Sequence, residues 1–171
     1  MKRLILSVAI ALMSVVAAQA QKFALIDMEY ILQQIPAYAE ANQQLDTLSK
    51  QWQAEIDKSA KEAKTLYEAY QKDASKLTAA QKTAQEDAIV AKEKATVELR
   101  KKYFGPEGEL VKKRETLITP IQDAIYTAVK EIALQRKYDV VFDRASSQNM
   151  IFASPDIDIS DIVLAKMGYS N

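Results

Sequence analysis

Tyr38 to Leu77 reads YAEANQQLDTLSKQWQAEIDKSAKEAKTLYEAYQKDASKL, forty residues without a glycine or a proline. Apolar or small side chains recur at Tyr38, Ala41, Leu45, Leu48, Trp52, Ile56, Ala60, Ala63, Leu66, Tyr70, Ala74 and Leu77. That is eleven steps over 39 residues, close to 3.5 per step, with a run of consecutive fours that interrupts a strict heptad. A stripe of this period predicts a long helix paired, coiled-coil fashion, with another helix. At the rise of an α-helix the segment extends about 60 Å, far more than a globular core of this size needs.

The partner follows in the chain. Thr78-Ala79-Ala80-Gln81 has the form of a capping box, in which the Thr hydroxyl and the Gln side chain satisfy each other's backbone amides at a helix start. The tip of a hairpin is therefore expected at 73–78, with a second helix returning through Ala84, Ala88, Ala91, Ala95 and Leu99. A short connection makes consecutive helices antiparallel neighbours. Residues 37–120 read as a helical hairpin arm. Its return strand is interrupted by Tyr103-Phe104-Gly105-Pro106-Glu107-Gly108, which holds two of the chain's three glycines. Gly105, Pro106 and Gly108 are candidates for a hinge, or Gly105 makes room for the indole of Trp52, which equal rise on both strands would place opposite. By the same count Pro120 falls opposite Pro36, and both would mark where the arm leaves the rest of the chain.

The flanks, 21–36 and 121–171, read as one small body. Lys22 to Ile26 suits a buried strand, with Asp27 as N-cap of a short helix closed by Pro36. Ile121, Ala124, Ile125, Ala128, Val129 and Ile132 share a helix face. Tyr138 to Asp143 and Asn149 to Ala153 read as two further strands, and Asp158-Ile159-Ser160-Asp161 caps a last helix stopped by Gly168. The fold class expected is mainly α with a small β body. About 65 residues make a marginal core, and short strands leave open edges. Association through Phe23, Leu25, Val140, Phe142 and Ile151 would relieve both, so an obligate homo-oligomer is expected.

The chain starts as an export signal: Lys2 and Arg3, an apolar run from Leu4 to Ala18, and the small-x-small site Ala18-Gln19-Ala20. Cleavage after Ala20 would leave 21 basic against 23 acidic residues, a net charge of −2. Such a balance speaks against a nucleic-acid partner. With no cysteine and no histidine, disulfides, thiolate metal sites and histidine general bases are excluded. No Gly-x-x-x-x-Gly-Lys loop occurs, so ATP-driven action is not expected. Asp156, Asp158 and Asp161 lack the Gly and bidentate Glu of a calcium loop and read as capping residues. No cofactor and no enzymatic activity are expected. Arg100, Lys101, Lys102, Lys112, Lys113 and Arg114 stand against Glu107 and Glu109 in the most charged stretch. They would suit acidic protein segments or an anionic membrane surface, or form an ordinary solvated face. Trp52, Tyr67, Tyr70 and Tyr103 would fill the hairpin seam or meet apolar segments of a bound chain.

The order of these parts resembles the Skp/OmpH family of periplasmic chaperones. The resemblance is carried by Phe23-Ala24-Leu25-Ile26-Asp27-Met28 with Gln33-Gln34, the long hairpin, Tyr138 to Asp143, and Asp158 to Leu164. Gly105 to Leu110 followed by Lys112-Lys113-Arg114 is similar to members from Bacteroidetes-like bacteria. The resemblance implies a homotrimer whose strands form a barrel-like body and whose three hairpins surround unfolded outer-membrane proteins without ATP, in the periplasm. One departure stands out. The arm carries 15 basic and 14 acidic side chains, whereas well-known members are strongly basic, so electrostatic capture should be weaker. A lipopolysaccharide site has no residue match to carry over. The rival expectation is an envelope adaptor whose coiled coil grips a folded partner.

Overall fold

The structure, a computed structural model, describes residues 21–147 and 149–169; the export signal expected over 1–20 lies outside them. In chain order it has β1 (Phe23–Ile26), α1 (Met28–Gln33), α2 (Pro36–Asp73), α3 (Ala79–Phe104), α4 (Glu109–Arg136), β2 (Val140–Asp143) and α5 (Ser160–Lys166). Single 3-10 turns occupy Ala74–Lys76 and Pro155–Ile157. The chain divides into two compact units: Leu32–Tyr126, and the residues up to Ile31 together with those from Thr127.

In the first unit α2 and α3 form an antiparallel hairpin. Pro36 opens α2 at its first turn, where the missing amide leaves no bond unmade. Ala41, Leu45, Ile56 and Ala63 are buried along the seam, with Tyr38, Leu48, Trp52, Tyr70 and Leu77 half-buried. Ser59 takes the seam position expected of Ala60, and Leu66 is exposed. Of the stripe expected on the return helix only Leu99 holds. Ala84, Ala88, Ala91 and Ala95 are exposed, and α3 turns Ile89, Thr96, Leu99 and Tyr103 to the seam. Burying Ile and Tyr removes far more apolar area from water than burying alanine, so the large side chains choose the face.

The turn between the helices is closed as a full capping box. Gln81 donates its amide to the Thr78 hydroxyl, and the Gln81 side-chain oxygen accepts from the Thr78 amide at 2.9 Å. The break at 105–108 is likewise hydrogen-bonded. Gly105 donates to the Lys101 carbonyl and Gly108 to the Gly105 carbonyl, both at 2.9 Å, and Lys112 donates to Gly108 at 3.2 Å. Neither glycine is there to accommodate Trp52. A Cβ on Gly105 would collide with the Lys101 carbonyl, and one on Gly108 would lie 2.8 Å from the Tyr103 carbonyl oxygen. The turn's own backbone demands both. Beyond it, α4 runs unbroken through Pro120, so no helix boundary falls at that proline. A proline in a helix removes one amide bond and its ring crowds the preceding turn. The other bonds of a 28-residue helix carry α4 past it. Near the hairpin's base, Ile118 forms a core with Ala41 and Leu45, and Tyr38, Leu110 and Leu117 pack against it.

In the second unit β1 and β2 pair in parallel, Phe23 opposite Val140 and Leu25 opposite Phe142. The chain's two ends are thus joined after the whole hairpin has intervened, the long crossover that parallel strands need. The other edge of β1 is met by the chain before α5, where Ile159 donates to the Leu25 carbonyl at 2.8 Å. Ile159, Val163 and Leu164 are buried. The third strand expected at Asn149 to Ala153 does not form: 150–154 has no regular structure. A strand exists only as part of a ladder, and among the described residues no neighbour offers one. Gly168, at φ 88°, ends the chain's last helix as its sequence position implies.

Candidate functional site

The sheet unit is fastened by one guanidinium. Asp27 caps α1 by accepting from the Tyr30 amide at 2.9 Å, and its other oxygen takes Arg144 Nη2 at 2.8 Å. Arg144 also reaches Asp158 at 3.7 Å, and Asp158 accepts from the Ser160 amide and hydroxyl at 2.9 and 2.6 Å. Ser160 Oγ in turn accepts the Asp27 amide at 2.8 Å. The ring of contacts joins the starts of α1 and α5 to the turn after β2. The Tyr30 amide first, and Arg144 second, hold the Asp27 carboxyl below the usual carboxylate range. The three acids near the chain's end are spent on such work: Asp158 as above, Asp156 with Ser154, and Asp161 as acceptor for the Tyr30 hydroxyl at 2.8 Å. The Tyr30 hydroxyl is correspondingly harder to ionise. Among the described residues, no three acidic groups converge as a metal site would require.

The residues expected to join subunits do not behave alike. Phe23, Val140 and Phe142 stand open to solvent at 43, 41 and 46 %. In a parallel ladder, paired residues face the same way, so these three form one apolar patch on the sheet. Phe23 and Phe142 hold their rings 6.3 Å apart. Leu25 is buried within its own chain and drops out of the exposed set. Ile151 is fully exposed outside any strand, beside the exposed Phe152, a residue that sequence reasoning did not single out. On its outer edge β2 has no strand partner among the described residues.

On the hairpin, the six basic candidates are all exposed. Lys112 pairs with Glu109 at 3.2 Å, and Lys102 lies 4.9 Å from the centre of the Tyr103 ring. Lys101 and Lys102 lie in the last turn of α3, where cations offset the helix dipole, and Arg100 directly precedes them. A groove beside the seam is lined by Glu55, Glu62 and Glu98 against Lys58, Lys92 and Lys102, so its charges balance. Lys92 pairs with Glu62 across the helices and holds the Glu62 carboxyl below the usual range. The aromatics divide. Trp52 stacks on Tyr103 with centroids 4.9 Å apart and planes 5° from parallel, Tyr70 donates to Glu86, and Tyr67 is half exposed. The seam also carries a polar layer, Ser59 Oγ against Thr96 Oγ1 at 2.7 Å, which the stripe missed because it admitted no serine or threonine.

Among the described residues no helix is long and apolar enough to cross a membrane. A long antiparallel helical hairpin joined to a small parallel sheet, with an open apolar sheet face, defines a class of two-part, mostly helical proteins. The family model for outer membrane protein (OmpH-like) matches residues 22–167. The chain belongs to the OmpH-like family. It is 27 % identical over 163 residues to the chaperone protein Skp of Yersinia enterocolitica, with 94 % of each chain covered. The crystal structure of an OmpH-like protein from Caulobacter crescentus superposes with a TM-score of 0.67 at 15 % identity, covering 87 % of this chain and 85 % of that one.

Proposed function

We propose that this chain is a periplasmic, ATP-independent holding chaperone that keeps unfolded outer-membrane β-barrel proteins from aggregating. The observation that carries the proposal is the near full-length similarity to a chaperone, which runs through the hairpin as well as the sheet. The mechanism follows from the architecture. A hairpin whose seam is internally satisfied offers an outer surface of exposed alanines, valines and balanced charges, suited to many weak contacts with an extended chain. Several such arms in one assembly gain avidity through high effective concentration, without a tight site. Release needs no nucleotide, because a client that folds into its membrane leaves the bound state by mass action.

The assembly is a homotrimer, built through Phe23, Val140 and Phe142 and the open edge of β2. Arg100, Lys101, Lys102, Lys112, Lys113 and Arg114 hold acidic client segments or an anionic surface such as lipopolysaccharide. The Gly105-Pro106 to Gly108 break lets the arm adjust to clients of different size. The test is selectivity: the protein should co-elute with several different barrel proteins when they are unfolded in urea and diluted, and with none of them once folded in detergent. Binding to folded barrels at fixed stoichiometry would replace the proposal with the adaptor reading.

A further inference from the structure

We infer that the break between α3 and α4 is a latched joint, held shut by Trp52, Tyr103 and Glu55, and that the hairpin flexes there only when this latch opens. At 105–108 the return strand has no helix, and α2 alone runs continuously past that level. A loose linker at this point would make a free joint. The structure holds the opposite. The turn is internally hydrogen-bonded and Gly108 is buried. On its distal side Tyr103, only 7 % exposed, lays its ring against the Trp52 indole, while Phe104 meets the same indole edge-on at 6.5 Å and 82°. The Tyr103 hydroxyl donates to Glu55 Oε2 at 2.7 Å.

One tyrosine thus grips two residues of α2, three apart and on the same helix face. Stacked aromatic pairs contribute beyond their buried area, and a hydrogen bond to a carboxylate fixes the ring's height along α2. Bending at the break draws the end of α3 away from α2 and unseats the Tyr103 ring as a unit. Packed rings are either seated or not, so the joint has two states, not a continuum. The inference concerns the hairpin alone and is independent of the holding function, because its test contains no client.

The chain has no cysteine and a single tryptophan, which makes the test direct. Spin labels on K72C and Q122C, in protein diluted with unlabelled chain, report the distance across the break by double electron–electron resonance. Acrylamide quenching reports the exposure of Trp52. Wild type should give a narrow distance distribution and a shielded indole. Tyr103→Phe keeps the ring but loses the Glu55 bond, and should broaden the distribution and raise quenching. Trp52→Leu should broaden it further, and Glu55→Gln, which still accepts the bond, should stay near wild type. A wild-type distribution as broad as that of Trp52→Leu would overturn the latch. So would distributions in Tyr103→Phe and Trp52→Leu as narrow as wild type, with helical circular dichroism retained.

Discussion

Arg144 is exposed over half its side chain, yet it ties three segments together. Its partner Asp27 does two things, capping α1 and pairing with the guanidinium, and the two are separable. The Asp27→Asn variant keeps a cap of similar quality and loses the charge, while Asp27→Ala loses both. Asp27→Ala should therefore cost about 1 kcal/mol at neutral pH in urea unfolding, and Asp27→Asn distinctly less. The pH dependence has a definite sign. Because the folded carboxyl titrates below its unfolded value of about 3.9, its stabilisation is complete above that value and is lost as pH falls through the folded one. Wild type should lose stability faster than Asp27→Asn as pH falls below about 4. Parallel curves would remove Asp27 from the account. Gly108 makes a second residue-scale case. Its Cβ would meet backbone atoms that cannot swing aside, so Gly108→Ala should cost about 1–3 kcal/mol by thermal unfolding. It is for this reason a poor probe of hinge motion, since it damages the turn itself.

At the scale of elements, α2 was readable because Leu45, Trp52 and Ile56 are large enough to mark a face. α3 was not. Half of its apolar residues are alanines, spread so that a false stripe through Ala84 and Ala95 looks as regular as the true one through Ile89 and Tyr103. The start of α3 was legible from four residues, because a capping box is a local device. Thr78→Ala should cost about 1 kcal/mol and speed amide exchange in the first turn of α3. The Ser59–Thr96 layer predicts an asymmetry. Thr96 also donates to the Lys92 carbonyl at 3.0 Å, so Ser59→Ala should cost little. Thr96→Val strands the buried Ser59 hydroxyl and should cost about 1–2 kcal/mol. The double variant should recover most of that loss, and a double-mutant cycle by urea unfolding measures it. The third strand failed for a reason of another kind: composition marks a segment that suits a ladder, whereas only tertiary partners supply one. Arg144 was invisible for the same reason, its partners lying 117 and 14 residues away.

On the scale of the whole molecule, the proposed assembly rests on the apolar patch of Phe23, Val140 and Phe142. Phe142→Asp would place a carboxylate in that patch, and burying it unpaired would cost more than the contact returns. The variant should dissociate by sedimentation or light scattering while its hairpin helix content survives. An unchanged mass would move the interface elsewhere. The central claim is the holding function, and it is tested most directly by aggregation. A urea-unfolded outer-membrane barrel protein is diluted into buffer without nucleotide, with and without this protein, and light scattering is followed. The account predicts suppression that saturates near one assembly per client, and that is lost in the Phe142→Asp variant if the arms act together. Scattering unchanged across several clients would contradict it.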